Sequence, residues 1–257
     1  MQQIFEKEVT WLNCTPSAFY PLVENVDQAS LAKLNSLRYV LLGGEPINVS
    51  RLLPWITHPG FAAQLVNTYG PTECTDVCAF YRLENAESFL HRPVPIGRPI
   101  SNAALLVLGE HGSLRPMGVT GELYIGGESL GAGYVNDAAM TQERFVHNPF
   151  PEIPGDRLYR SGDLGRWLSD GTIELTGRRD DQVKIRGFRL SLNEVERALC
   201  QCPGVRQAVA VTQEDGAGNR QLAAFILGEP KTKPSIETLR QALKARLPEY
   251  MVPSAFA

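Results

Sequence analysis

Three stretches of this sequence gather residue types that can bind a phosphorylated ligand. Asn67-Thr68-Tyr69-Gly70-Pro71-Thr72-Glu73 sets an aromatic ring, a hydroxyl and a carboxylate around a Gly-Pro pair. Such a loop can stack a base on Tyr69, hydrogen-bond a phosphate oxygen through Thr72 and offer Glu73 as a hard oxygen ligand to Mg²⁺. By composition alone it is also ordinary turn chemistry after a strand. Tyr159-Arg160-Ser161-Gly162-Asp163-Leu164 places one acid between small residues at a strand end, where a carboxylate can accept both hydroxyls of a ribose; Ser-Gly-Asp is also a common turn. The run from Gly177 to Gly187 is dense in charge around an apolar pair. It reads either as a solvated loop or as an arginine site beside a nucleotide with a glycine and acid hinge, because Arg can bridge phosphate and ribose in a way Lys cannot. Gly121 to Gly127 reads as a strand whose glycines let backbones cross.

The elements that must carry these stretches fall into three parts. Val40 to Leu42 and Gln64 to Asn67 are β-prone runs ending in glycine loops, with amphipathic helices expected over Ala29–Leu37 and Ser50–Ile56. This alternation predicts a parallel sheet over about residues 1–90, with both glycine loops at the strands' carboxyl ends, where such sheets bind ligands. From about 91 to 179 the rhythm changes to strands and turns, Ala103–Leu108, Glu122–Ile125, Leu158–Arg160 and a hairpin Arg166–Glu174, which predicts an antiparallel or barrel-like part. Residues 180–257 read as a small α+β lobe. Its elements are a strand Val183–Ile185, a helix opened by the capping box Ser191 to Glu194, strands Val205–Val211 and Leu222–Leu227, a loop over Gly228–Pro234 and a closing helix Ser235–Leu247.

Composition bounds the function. Of 257 residues, 43% are hydrophobic and 21% charged, the mixture of a folded chain, and 25 basic against 28 acidic residues leave a net charge of −3. That balance argues against sequence-independent nucleic-acid binding. No apolar run reaches the ~18 residues of a membrane helix and the start lacks a secretory pattern, so a cytoplasmic protein is expected. Five cysteines in a long chain suggest reduced thiols, and the four histidines are scattered, so no cysteine or histidine metal site is expected.

Taken in order, the strings VTWLNCTPSAF, YVLLGGEPI, NTYGPTE, GELYIGGESLGAGYVN, YRSGDL, GRRDDQVKIRGFRLSLNEVE and LPEYMVP resemble the adenylate-forming enzyme superfamily, most closely the amino-acid adenylation domains of nonribosomal peptide synthetases. The resemblance implies a partial acyl-CoA synthetase/luciferase-like fold, α/β plus a β-rich subdomain and a small α+β lobe. It further implies an ATP- and Mg²⁺-dependent ligase of secondary metabolism that converts an amino acid to its adenylate. A phosphopantetheine thiol on a partner carrier domain then takes the acyl group, with a condensation domain as further partner. By position it assigns Gly44, Asn67 and Tyr69 to the adenine slot, Thr72 to the α-phosphate, Glu73 to Mg²⁺, Asp163 to ribose and Arg178 to ribose and phosphate. Asp180 corresponds to the hinge and Gly187 to the loop that enters the site for thiolation. The substrate pocket would draw on Asn13, Leu41, Gly43, Thr68, Asp76 and Val77.

The same resemblance puts the family's phosphate loop upstream of Val9 and its catalytic lysine beyond Ala257, so the chain reads as the later part of the domain, expected to be inactive alone. Asp76 stands where the family usually has an apolar residue: an exposed acid after a loop, or a pocket wall favouring a polar or basic substrate side chain. An acyl-CoA or fatty-acyl-AMP ligase fragment and a non-catalytic nucleotide-binding piece are the competing readings.

Overall fold

The structure, a computed structural model, describes residues 1–216, 218–229 and 234–257. Its contacts separate into two units, Met1–Asp180 and Asp181–Ala257.

In the first unit, β1 (Trp11–Cys14), β2 (Tyr39–Gly43), β3 (Gln64–Tyr69), β4 (Ala79–Leu83) and β5 (Arg98–Pro99) form one sheet in that order. The first three strands are parallel, but β4 pairs antiparallel with β3 and β5 with β4. The sheet is therefore mixed, not parallel throughout as the alternation suggested. Chain length is the reason: only residues 70–78 join β3 to β4, and a parallel return takes a crossover of about a dozen residues or more. Short helices α1 (Gln2–Glu6), α2 (Pro16–Phe19), α3 (Gln28–Ala32) and α4 (Leu53–Ile56) accompany it. The helix expected over Ala29–Leu37 ends at Ala32. Beyond it, amide bonds that reach back three residues carry the chain to Leu37 as tight turns. The segment expected as one helix over Ser50–Ile56 begins instead as a 3-10 turn, Val49–Leu52. Val40, Leu42 and Leu65, on one face of the sheet, pack with Phe19, Leu31, Leu52 and Trp55 in a buried core.

The second sheet holds β6 (Ala103–Leu108), β7 (Gly121–Gly127), β8 (Phe145–His147), β9 (Arg157–Trp167) and β10 (Ile173–Arg178), with helix α5 (Ala138–Arg144) just before β8. All its pairings are antiparallel, in the open order β10-β9-β7-β6 with β8 beside β9. Here the structure corrects the sequence reading. Ser161 to Asp163 do not end a strand; β9 runs straight through them. Tyr124 pairs with Arg160 and Glu122 with Leu164, so Ser161, Gly162 and Asp163 all stand opposite Leu123 in a bulge, with Gly162 at φ +78°. A glycine inside a strand pattern marks such a bulge as readily as a strand's end.

In the second unit, β11 (Gln182–Ile185) and β12 (Phe188–Ser191) form a hairpin, and β13 (Val205–Glu214), β14 (Arg220–Gly228) and β15 (Ala255–Phe256) form a sheet. β12 is a strand the sequence reading did not separate from the charged segment. Arg186 and Gly187 sit at φ +51° and +79° between Ile185 and Phe188, the two left-handed positions of a two-residue hairpin turn. Helix α6 (Leu192–Cys200) is capped by Ser191, whose hydroxyl accepts from the Glu194 amide at 3.3 Å, and helix α7 (Ile236–Lys244) by Ser235, which accepts from the Thr238 amide at 3.1 Å. Helix α6 packs on β13 and against α7, and both helices bury one face in a common core, through Val195, Leu199, Leu239 and Leu243. Helix α7 is shorter than the Ser235–Leu247 expected, and β14 reaches Gly228, the first residue of the expected loop; positions 230–233 of that loop lie outside the described residues.

Candidate functional site

Register explains why Asp163 and Arg178 meet. The bulge in β9 and a second irregularity between Leu175 and Gly177 in β10 leave Arg178 directly opposite Asp163. The Arg178 guanidinium donates from Nη1 to Asp163 Oδ1. The Tyr69 hydroxyl, at the end of β3, donates to Asp163 Oδ2 at 2.6 Å. Asp163 is 6% exposed, so its charge is sustained by these two donors, while the Ser161 hydroxyl accepts from its amide at 3.0 Å. Burial, then the neighbouring Asp163 charge, push the Tyr69 phenol well above its ordinary value. For Arg178 burial pulls downward, but hydrogen bonds and charge from Asp180 and Asp163 outweigh it and hold the guanidinium above its usual value.

Asp180 joins the same cluster. Arg178 Nε and Nη2 donate to its two carboxylate oxygens at 2.8 and 3.0 Å, and Nη2 also reaches the Ser161 carbonyl at 3.0 Å. The structure thus brings together Tyr69, Asp163, Arg178 and Asp180, drawn from three separate stretches of sequence.

A second focus lies on the loop after β3. Glu73 is half-buried, and its Oε1 accepts from the Tyr134 hydroxyl at 2.6 Å. The Gly131 amide donates to the Glu73 carbonyl at 2.8 Å, and the Thr75 hydroxyl to the Ser129 carbonyl at 2.8 Å. The segment Ser129–Tyr134 therefore straps the loop and aims one carboxylate. Thr72 is exposed on the 3-10 turn Thr72–Cys74, its hydroxyl available to a ligand. Asn67 is buried and gives its amide to the Pro95 carbonyl at 2.8 Å, while Gly44, at φ +82°, turns the chain out of β2.

The expected pocket residues form a row. Asn13 pairs with Leu41, and Gly43 with Thr68, so the four share the sheet face opposite the buried core. A Cβ on Gly43 would stand 2.3 Å from Thr68 Oγ1, so glycine is what lets that hydroxyl lie over β2. Asp76 and Val77 follow in the loop, Asp76 exposed and at φ +69°, and no contact joins either to the row among those described. Gly187 lies at the β11–β12 turn in the second unit.

Sequence reasoning passes over three side chains. Tyr134 lies in one of the family-like strings without a role of its own. Arg144, at the end of α5, has Nη1 3.6 Å from Asp180 Oδ2. Glu122, 5% exposed, is paired with Arg160 at 2.8 Å and Arg179 at 3.1 Å. No spacing signal marks them, because each acts across elements that only the fold juxtaposes. Among the described residues, no helix is long and apolar enough to cross a membrane.

Comparison with known proteins agrees along the whole chain. The AMP-binding enzyme family matches residues 1–135 and the AMP-binding enzyme C-terminal domain residues 194–257. The chain is similar to the dimodular nonribosomal peptide synthase of Bacillus subtilis (strain 168), 42% identical over 258 residues, which is 100% of this chain and 11% of that protein. It is 43% identical over 255 residues to malpibaldin synthetase of Mortierella alpina, covering 99% of this chain and 4% of the synthetase. Among solved structures, IdnL1 superposes with a TM-score of 0.88 at 29% identity, over 99% of this chain and 51% of that one. PA1221, an NRPS protein containing adenylation and PCP domains, superposes at 0.83 and 32% identity, over 99% of this chain and 49% of that one. The chain therefore spans about half the length of these solved relatives and a small fraction of the two large synthetases. With the matched models and the Tyr69–Asp163–Arg178 cluster in hand, the chain belongs to the AMP-binding enzyme family.

Proposed function

We propose that this chain is the later part of an amino-acid adenylation unit of a nonribosomal peptide synthetase. In that reaction an amino-acid carboxylate oxygen attacks the α-phosphorus of ATP, the bond to the bridging oxygen breaks, and pyrophosphate leaves with the electron pair. The aminoacyl-adenylate is then attacked by a carrier-domain phosphopantetheine thiol, which forms the thioester, gives up its proton and releases AMP. Catalysis of this kind is chiefly positioning and charge stabilisation.

The observation that carries the reading is the buried Asp163 carboxylate, flanked by an aromatic and a guanidinium. Its two oxygens suit the two ribose hydroxyls, and each already holds a donor, Tyr69 or Arg178, that a ribose would share or displace. Arg178 would then face ribose and phosphate, Tyr69 the base with Gly44 and Asn67 beside it, and Thr72 the α-phosphate. Among the described residues no three His, Cys, Asp or Glu side chains gather as a metal cage. A single oriented carboxylate, Glu73, fits Mg²⁺ carried on nucleotide phosphates, the usual way that cation is held. Bound there, Mg²⁺ would neutralise phosphate charge. Asn13, Leu41, Gly43, Thr68, Asp76 and Val77 are the substrate-side residues of this reading, Asp180 its hinge and Gly187 its thiolation loop. The names of two relatives, a nonribosomal peptide synthase and a protein with adenylation and PCP domains, favour an amino acid and a carrier domain over a fatty acid and coenzyme A.

Titration of the chain with AMP, followed by ligand-observed NMR, tests the reading. Saturable binding that Asp163→Asn weakens at least tenfold is expected. Equal binding by parent and variant would remove Asp163 from the ribose site.

A further inference from the structure

The last residues of the first unit are fastened to β9 more firmly than a connecting segment needs. The Arg179 amide donates to the Gly162 carbonyl at 2.8 Å. Asp180 folds back over Gly162, where a Cβ would fall 2.7 Å from its Oδ2. Two cations then reach the same carboxylate: Arg178, along its Nε/Nη2 edge at 2.8 and 3.0 Å, and Arg144, whose Nη1 lies 3.6 Å from Oδ2. The Arg144 and Asp180 side chains are only 15% and 20% exposed, so solvent screens their attraction in part. The competing partner of Arg144, Glu143, also lies 3.6 Å away but is 58% exposed.

We propose that Arg144 is a positioning residue for the nucleotide site: it holds Asp180, and through Asp180 fixes the Arg178 guanidinium against Asp163. The inference rests on the reading of Asp163 and Arg178 as ribose contacts. A guanidinium is planar, so the carboxylate that engages its Nε/Nη2 edge sets the direction of the remaining Nη1. In Arg178 that remaining nitrogen is the one on Asp163. Asp180 is the final residue of its unit, and without a second anchor its carboxylate would follow the backbone that leads away from it. Arg144 supplies that anchor from α5, an element outside β9 and β10. The contact is a single-point charge pair, so a lysine can replace it, whereas a neutral side chain cannot.

Hydrogen exchange of the whole chain, read by mass spectrometry on peptides spanning residues 178–182, tests the fastening. AMP titration of the same samples tests its consequence. Arg144→Gln should raise exchange in that segment and weaken AMP about threefold to fivefold, the range of a partly sheltered ion pair. Arg144→Lys should restore most of both, and the double variant with Asp180→Asn should match Asp180→Asn alone. Unchanged exchange in Arg144→Gln, or effects that multiply in the double variant, would overturn the proposal. Loss of AMP binding in the parent would instead overturn the ribose reading, while the exchange arm still decides the fastening. An unchanged urea midpoint for each variant, followed by tryptophan fluorescence, separates local loosening from unfolding.

Discussion

The Asp163 cluster and the Asn13–Leu41–Gly43–Thr68 row belong to the same unit, yet they are built differently. Around Asp163 each charge is buried or half-buried and meets an oriented partner. The row runs from an exposed edge to a buried strand: its sheet face carries Trp11 at 53% and Tyr39 at 46% exposure and Phe80, paired to Thr68, at 37%, while Val66 and Thr68 on β3 are buried. Parallel strands are ordinarily covered on both faces; here β3 is buried on both, whereas β1 and β2 are buried or half-buried on the core side and exposed or half-buried on the other. The Asp163 cluster, the nucleotide side in the function proposed above, is thus preorganised by contacts within this chain. The row, the substrate side in that proposal, is exposed at Asn13, half-buried at Leu41 and Gly43 and buried only at Thr68, and substitutions should therefore act strongly on the first and weakly on the exposed end of the second.

The largest effect is expected at Asp163. Removing a buried acid leaves Arg178 with one of its two carboxylates, and breaking a buried pair typically costs about 3–5 kcal/mol. Because Asp180 remains, Asp163→Ala should fall near the lower end, about 3 kcal/mol. All three tryptophans, Trp11, Trp55 and Trp167, lie in the first unit, so urea unfolding followed by their fluorescence reads that unit alone. A loss below about 1 kcal/mol would mean that the ion pair is not held as the structure has it.

Tyr69→Phe should cost less, about 1–3 kcal/mol, since it removes one hydrogen bond to a buried acceptor. It also carries a pH signature. Burial, and then Asp163, raise the Tyr69 phenol above its ordinary 10.0, so the folded state binds that proton more tightly than the unfolded chain does. The stabilisation is complete below pH 10 and is lost as pH rises through the folded-state value. Stability of the parent should decline above pH 10 more steeply than that of Tyr69→Phe, although Tyr20, raised by burial to about 12, contributes a decline common to both. Parallel curves would show that Tyr69 does not share its proton with Asp163.

How much of this is legible in the sequence follows from the range of the interactions involved. Val40–Leu42, Ala103–Leu108 and the Ser191 cap are set by local alternation and capping, and each is found where its pattern predicts it. The turn from β3 into β4 escapes the pattern because strand direction depends on connection length, which apolar periodicity does not encode. Asp163 stands out for its chemistry yet reads as a strand end, because Gly162 looks like punctuation until its partner strand is known. Arg144 is invisible altogether, and Tyr134 stands in a family-like string with nothing to mark its role. Their contacts to Asp180 and Glu73 cross between elements and leave no spacing in the chain.

The smallest effect is expected at Asp76, and the backbone dictates how to test it. Thr75 and Asp76 are both left-handed, at φ +57° and +69°, and the Asp76 carbonyl packs over Gly70, where a Cβ would meet it at 2.0 Å. A valine at position 76 would add β-branched strain in that conformation, so a change seen with Asp76→Val would mix strain with loss of charge. Asparagine tolerates left-handed backbone and keeps the shape, so Asp76→Asn isolates the charge. The carboxylate is exposed, and its removal should leave the urea midpoint within about 0.5 kcal/mol of the parent. In a synthetase unit containing this sequence, the ranking of kcat/KM over a panel of amino acids then reads the charge alone, with ratios cancelling any general loss. A shift away from basic or polar amino acids would make Asp76 a wall of the substrate site. An unchanged ranking with unchanged stability would leave it a solvated turn residue.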